Sequence, residues 1–167
     1  DLGDDFMISS SQIGPFPEGL QVGLVNINER KVLLNFLDHK EMIQNNKNSV
    51  YDLKVIAGDQ EYVKSMSQEI LSSIPEEFSL GQNYPNPFNP ITQMEYSLPQ
   101  RSKVVISIYN VLGQEIKSLI NKEQDYGYHS VSWDGTDRLG KSVASGVYFT
   151  QMRSGGFSQS KKMLLLK

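Results

Sequence analysis

Cysteine is absent from the 167 residues, and histidine is nearly so. Without thiols, the fold has neither disulfide bonds nor thiolate metal ligands to stabilise it. The two histidines, His39 and His129, are too few and too far apart in sequence to predict a zinc cluster. His129 and Ser130 are neighbours on a predicted strand, so their side chains point to opposite faces and cannot act as base and nucleophile. The sequence also lacks a glycine-rich phosphate loop, a paired carboxylate motif and a nucleophile elbow, so we do not expect an enzyme.

Positive charge and long apolar runs are also scarce. The 16 lysines and arginines are outweighed by 19 acidic residues, which gives a net charge of -3. Nucleic acids bind concentrated basic faces, so we expect no nucleic-acid partner. The longest apolar run near either end, residues 163–166, is far shorter than the about 20 residues that span a membrane, so we expect no membrane insertion. The start at Asp1, without methionine or an apolar leader, favours a processed product or an excised fragment.

Alternation of apolar residues indicates strands throughout the chain. In the first part it predicts two half-buried strands, at residues 20–24 and 51–57. In the second part it predicts six strands, at residues 94–98, 104–108, 116–120, 129–133, 147–152 and in a last segment that ends at Leu166. Gly113 stands in a turn where a positive φ is expected. Six strands in about 75 residues, with no convincing helix, predict an all-β fold, an antiparallel β-sandwich.

The segment between these two parts, residues 59–74, fits two interpretations. Apolar residues recur every four positions, as on one face of a helix, at Tyr62, Met66, Ile70 and Ile74. Four serines and the following Pro75 favour an extended linker instead. We therefore predict a β-rich partial sandwich, a linker and a complete sandwich domain, at residues 1–63, 64–77 and 78–167 respectively.

Three of the seven prolines lie within residues 85–90. Each proline fixes its own φ and drives the preceding residue toward extended backbone, which predicts a stiff arm over residues 84–90. Tyr84 and Phe88 are available to pin this arm onto a hydrophobic surface. The arm either positions the first strand of the sandwich or serves as a recognition epitope, and the two roles are compatible.

Five segments, taken in chain order, resemble the C-terminal sorting domain, type A, of type IX secretion substrates in Bacteroidetes and related phyla. They are FSLGQNYPNPFNP at residues 78–90, IYNVLGQE at 108–115, YHSVSWDGTD at 128–137, SGVYF at 145–149 and KKMLLLK at 161–167. The third and fourth segments also resemble the Ig-like domain of flagellar hook-capping proteins, a structural relative. The resemblance covers residues 75–167.

This resemblance implies an Ig-like sandwich that the outer-membrane secretion machinery recognises after export to the periplasm, so that the protein is secreted and reaches the cell surface. The last strand, residues 158–166, is expected to pair edge to edge with a receptor strand. The lysines near the end either add charge recognition or keep an edge strand soluble. A side chain at Gly146 is expected to crowd the start of a strand. The implied recognition residues are Tyr84, Pro85, Asn86, Pro87, Phe88, Asn89, Pro90, Gly146, Tyr148, Lys161, Lys162 and Lys167.

The acidic loop at residues 134–140 superficially resembles a calcium loop. Asp134 and Asp137 stand at its positions 1 and 4, but Ser145 at position 12 excludes an EF-hand, which needs glutamate there. A calcium site of another kind on these two carboxylates is one interpretation. The favoured one is a tight turn stabilised by aspartate hydrogen bonds. Apart from this calcium candidate, we expect no cofactor.

Two further functions compete with sorting. The first 74 residues resemble the end of a β-sandwich module of large surface proteins, in which more strands come first. Such an incomplete sandwich has an open edge, through which neighbouring copies could assemble into an extracellular fibre by strand complementation. The third candidate is a carbohydrate-binding module. It uses Trp133 as a sugar-stacking platform, whereas a tryptophan on a sandwich strand is expected in the core.

Overall fold

The computed structural model describes residues 21–27, 30–33 and 53–167, which fall into two compact units that divide between Ser73 and Ile74. In the first unit the described residues form an antiparallel sheet and one helix, α1 (Gln60–Ser73). The strands are β1 (Gln21–Asn26), β2 (Lys31–Leu33) and β3 (Leu53–Gly58), in the order β2-β1-β3. The two strands predicted in this part are confirmed at β1 and β3, but β1 is buried on both faces and not half-buried as expected. The short β2 was not predicted.

Strand β3 buries the face opposite to the expected one. Val55 is 66% exposed, whereas Ile56 is buried. The alternation of apolar residues over 51–57 identifies a strand but cannot tell which of its faces a neighbouring element covers. Helix α1 follows β3 directly and contacts both β1 and β3, so tertiary packing decides the buried face here. His39 lies outside the described residues.

Helix α1 occupies much of the segment predicted as a linker over residues 64–77, so the extended conformation is wrong for this stretch. The Tyr62 N–H donates to the Asp59 side chain at 2.8 Å, which caps the start of the helix. The serines that favoured a linker are accommodated within the helix, because their hydroxyls donate to carbonyls three or four residues back. These are Ser65, Ser67, Ser72 and Ser73.

The second unit is a sandwich of two antiparallel sheets. Its strands are β4 (Ser79–Leu80), β5 (Thr92–Leu98), β6 (Ser102–Asn110), β7 (Glu115–Gln124), β8 (Gly127–Trp133), β9 (Gly146–Ser154) and β10 (Phe157–Leu165). One sheet has the order β10-β9-β6-β7 and the other β4-β5-β8. All six strands predicted from alternation in this part are present, which confirms the all-β sandwich.

The alternating residues fill the space between these two sheets. The fully buried side chains of this core include Met94, Leu98, Val104, Ile106, Ile108, Trp133, Met152, Met163 and Leu165. The β6–β7 turn contains Gly113 with a φ of 76°, as predicted. Its geometry is fixed by the Asn110 side-chain oxygen, which accepts from the backbone N–H groups of Leu112 and Gln114, each at 3.0 Å.

Candidate functional site

The arm and the last strand meet at one edge of the sandwich. The Phe88 N–H donates to the Leu164 carbonyl at 3.0 Å, and the Leu166 N–H donates to the Phe88 carbonyl at 2.9 Å. These two bonds form a short parallel bridge between Phe88 and Leu165. The arm therefore lies along the outer side of β10, the side that does not face β9. Two segments that the sequence marked separately thus form one continuous surface, here called the terminal edge (residues 84–90 and 161–167).

Side-chain amides complete the contact between the arm and β10. The Leu164 N–H donates to the Asn86 side-chain oxygen at 3.0 Å. The Lys162 carbonyl accepts from the amide groups of Asn86 at 3.4 Å and of Gln82 at 2.8 Å. Through residues 162–166, the outward backbone groups of β10 are therefore largely occupied by the chain itself.

This arrangement corrects the expectation that the whole last strand is free to pair with a receptor. Because even-numbered residues of β10 direct their backbone groups away from β9, Ser158 and Ser160 belong to the same outer side. Within residues 53–167 no strand pairs with that side at these two residues. Only the outward backbone groups of Ser158 and Ser160 are left for a receptor strand, because those of residues 162–166 are largely hydrogen-bonded to residues 82–88.

The base of the arm is fixed by a second set of hydrogen bonds. Tyr84 and Gln93 exchange backbone bonds of 2.8 and 3.0 Å, which tie the arm to β5. The buried Asn83 side chain donates to the Thr92 hydroxyl at 2.9 Å, and this hydroxyl donates to the Pro85 carbonyl at 2.9 Å. The arm is held at both ends, but its backbone bends at residues 85–87 and 89–90, so the predicted extended conformation is wrong.

An aromatic cluster anchors the arm from inside. Phe88 is 2% exposed and its ring centroid lies 5.6 Å from that of Trp133. Trp133 in turn contacts the Tyr148 ring edge-on at 5.1 Å and donates its indole N–H to the Thr136 carbonyl at 2.9 Å. Trp133 is 1% exposed, so the core interpretation is confirmed and the sugar-platform alternative for this residue is wrong.

The predicted recognition residues are distributed unequally between surface and interior. Phe88 and Tyr148 are buried and act as packing residues, and the Tyr148 hydroxyl donates to the Ala144 carbonyl at 2.8 Å. Tyr84 is 83% exposed, so of the two aromatic residues expected to pin the arm only Phe88 does so. The remaining arm residues, Pro85, Asn86, Pro87, Asn89 and Pro90, are exposed.

The terminal lysines do not form one patch. Lys161 pairs with Thr150 in register, so its side chain lies on the core-facing side of the sheet. The side chain of Lys162 lies on the solvent-facing side of the sheet. An inward-pointing lysine on an edge strand discourages unwanted pairing with other chains. The Lys167 ammonium donates to the Ser142 hydroxyl at 2.9 Å and to the Val143 carbonyl, which ties the C-terminus to the loop after β8.

Gly146 starts β9 with a φ of 152°, in a region that residues with side chains rarely adopt. The expected crowding is wrong, because a Cβ atom there has no neighbour within 4 Å. The requirement for glycine comes from the backbone conformation alone.

We expect Gly146→Ala to lower the free energy of unfolding of the second unit by roughly 1–3 kcal/mol, the cost of holding alanine in a sparsely populated backbone region. Gly156→Ala is the matched control, since its Cβ also has no neighbour within 4 Å and its φ is not in that region. Urea unfolding followed by the fluorescence of Trp133, the single tryptophan, measures both. Equal effects of the two substitutions would contradict the backbone explanation.

The acidic loop is held by protein hydrogen bonds. The Asp134 carboxylate accepts from the Thr136 hydroxyl at 2.6 Å and from the Lys117 ammonium at 3.0 Å. The Thr136 bond, followed by Lys117, holds the pKa of this carboxyl below its usual value. The Asp137 carboxylate accepts from the Leu139 and Lys141 N–H groups at 2.8 and 2.9 Å.

These contacts match the turn interpretation of the loop. Within the described ranges, no group of three or more potential metal-ligating residues comes together. A calcium site at Asp134 and Asp137 stays a prediction.

Sequence reasoning did not identify Gln82, Asn83 or Gln159 as parts of this region. The Gln159 side chain accepts from the Leu80 N–H at 2.9 Å and so links β10 to β4 of the opposite sheet. Contacts such as this one join residues 79 positions apart, and no local pattern announces them. The only hint is the density of amide side chains beside the prolines.

Comparison with known proteins supports the fold assignment. The family model of the FlgD Ig-like domain matches residues 91–156 and confirms that this part is an Ig-like domain. No curated protein matches the chain. Helix α1, the helix present in the described ranges, is too short and too polar to cross a membrane.

The solved structures that are similar to the chain include PorZ, FlgD and PorU. PorZ, an essential surface component of the type-IX secretion system of Porphyromonas gingivalis, is 17% identical over 55% of this chain and 12% of PorZ, with a TM-score of 0.38. FlgD from P. aeruginosa is 21% identical over 44% of this chain and 57% of FlgD, with a TM-score of 0.36. Dimeric latent PorU from P. gingivalis is 17% identical over 92% of this chain and 13% of PorU, with a TM-score of 0.43. The match thus spans less than two thirds of each of these proteins.

Proposed function

We propose that this chain is a non-catalytic sorting and anchoring module, secreted to the cell surface and recognised by a type IX secretion translocon in the outer membrane. The observation that carries the proposal is the terminal edge. The proline arm and the last strand, both singled out by their resemblance to sorting domains, are hydrogen-bonded into one surface. The match to the FlgD Ig-like domain supports a compact sandwich as the part that the translocon recognises.

Because the arm occupies the edge of β10 that faces away from β9, recognition through side chains is favoured over pairing with a long receptor strand. A receptor strand that paired with residues 162–166 would first have to displace the arm, which Phe88 anchors in the core. The arm instead presents a row of exposed side chains on a backbone that is fixed at both ends. A preorganised surface of this kind loses little conformational freedom on binding, which favours affinity. Tyr84 is the exposed aromatic residue in this row.

The test is secretion of a fluorescent protein fused to the N-terminus of the full chain in a type IX-competent host. We expect the fusion in the medium or on the cell surface, and Tyr84→Ala should lower that fraction at least about tenfold, as loss of an aromatic anchor does at other interfaces. Tyr128→Ala removes a tyrosine that is 74% exposed on β8 and should leave secretion unchanged.

Deletion of residues 161–167 should retain the fusion in the periplasm. Secretion of this truncated fusion, or retention of the intact one, would exclude the sorting function. If the intact fusion is secreted and Tyr84→Ala and Tyr128→Ala have equal effects, the sorting function stands. The arm is then not the surface that the translocon recognises.

A further inference from the structure

A groove crosses the outer face of the four-stranded sheet, on the side of that sheet away from the core. It has a volume of about 380 Å³ and opens to solvent. Its lining includes Tyr109, Asn110, Val111, Phe149, Gln151 and Ser160. The volume lies in the range of small-molecule sites, roughly 300–1,000 Å³. The groove lies outside the terminal edge and has no role in the proposed sorting function.

Strand register explains why these side chains lie together. Tyr109 of β6 pairs with Phe149 of β9, so both side chains lie on the same face of the sheet. In the next row along the strands, Ser107, Gln151 and Ser160 pair across β6, β9 and β10. The groove therefore has an aromatic row and a polar row in parallel.

A chain of hydrogen bonds fixes the polar side of this groove. The Tyr109 hydroxyl donates to the Glu115 carboxylate at 3.4 Å and accepts from the Arg153 guanidinium at 3.0 Å. The same guanidinium donates to the Gln151 side-chain oxygen at 3.0 Å. The side chains are thus held in place before any ligand arrives, with one negative and one positive charge in balance.

Several polar groups next to this chain remain available. The Gln151 side-chain NH₂ has two donors and its contact with Arg153 uses only the oxygen. Ser160, which pairs with Gln151 in register, is exposed and lines the groove, so its hydroxyl can both donate and accept. Donors and acceptors therefore alternate beside the two rings.

We propose that this groove binds a neutral saccharide. The apolar face of a pyranose ring packs on aromatic side chains, while its hydroxyl groups both donate and accept and so need alternating partners. A lipid would cover the Gln151 side-chain NH₂ and the Ser160 hydroxyl without offering either a hydrogen-bond partner, at a substantial cost. The residues that line the groove are themselves uncharged, which favours a neutral sugar over an acidic one.

The experiment uses the full chain on a glycan array that carries neutral hexose oligosaccharides and uronic-acid oligosaccharides. We expect saturable binding to at least one neutral oligosaccharide, which then serves as the probe in calorimetric titration. Tyr109→Ala should weaken its binding about tenfold through loss of ring contact and of the central hydroxyl. Gln151→Ala should weaken it about two- to tenfold through loss of hydrogen bonds.

The control is Tyr128→Ala, an exposed tyrosine on the other sheet, which should leave the affinity unchanged. Thermal unfolding followed by Trp133 fluorescence verifies that each variant is folded. Absence of any neutral binder on the array overturns the proposal. So does binding that survives both groove substitutions, or binding restricted to uronic-acid oligosaccharides, which indicates ion pairing with surface lysines. Secretion of the fusion protein is not expected to change in the Gln151→Ala variant, so the two proposals fail independently.

Discussion

Replacing Trp133 by alanine is expected to lower the free energy of unfolding of the second unit by about 3–5 kcal/mol, the usual cost of removing a large buried aromatic side chain. Trp133 is 1% exposed and contacts both Phe88 and Tyr148, so the lost volume opens a cavity between the two sheets and the arm. Its indole N–H also holds the Thr136 carbonyl at 2.9 Å. Since small domains have about 5–15 kcal/mol of stability, the variant should be close to unfolding.

The variant loses the only tryptophan, so a different probe is required. Amide hydrogen exchange of β5–β10 reports on the second unit alone, and far-UV circular dichroism reports on the whole chain. Tyr128→Ala on the same strand is the control, because this side chain is 74% exposed and should change stability by less than about 0.5 kcal/mol. Trp133→Phe keeps most of the ring volume, so its loss of stability should lie between that of Tyr128→Ala and that of Trp133→Ala. A loss below about 1 kcal/mol for Trp133→Ala would contradict a core role for this residue.

The alternation of apolar residues was sufficient to predict six of the seven strands described in the second unit, and the short β4 was not predicted. Strand β5 places Met94, Tyr96 and Leu98 on its buried face, and β6 does the same with Val104, Ile106 and Ile108, because one side of each sheet is covered and the other is not. The turn at Gly113 was predictable for the same local reason, since its positive φ favours glycine. These features depend on a few consecutive residues, which the sequence displays directly.

Features that depend on distant partners were not predictable in this way. The buried face of β3 is decided by helix α1, and Val55 is exposed although it belongs to the apolar alternation. The serines of α1 satisfy their hydroxyls within the helix, so their number was a poor guide to a linker. In both cases a tertiary or backbone hydrogen bond overrides a local preference.

The candidate site shows the same division. Composition and resemblance marked residues 84–90 and 161–167 separately, but nothing in either segment shows that Asn86 bonds to Leu164, 78 positions later. That one contact changes the mode of recognition that we propose, because an arm on the edge of β10 leaves little backbone for a receptor strand. It also explains why prolines are tolerated beside a strand: the arm forms a two-bond bridge at Phe88, between prolines, and not a regular ladder.

The second large effect is expected for Phe88→Ala, which should lower the free energy of unfolding by about 3–5 kcal/mol and release the arm from β10. The Phe88 side chain is the arm's buried contact with the core, while its backbone supplies both bonds to the Leu164 carbonyl and the Leu166 N–H. Without the ring, these bonds are exposed to water and open more often. Urea unfolding followed by Trp133 fluorescence measures the global loss, and hydrogen exchange at the Leu166 amide measures release of the arm.

Tyr84→Ala is the matched control for Phe88→Ala, because it removes an aromatic side chain from the same arm that is 83% exposed. It should change stability by less than about 0.5 kcal/mol and leave the Leu166 amide protected. If Tyr84→Ala also abolishes secretion, loss of stability cannot be the reason, and the arm acts through its surface. Slow exchange of the Leu166 amide in Phe88→Ala would instead show that the backbone bonds alone hold the arm, and that the aromatic cluster does not control the terminal edge.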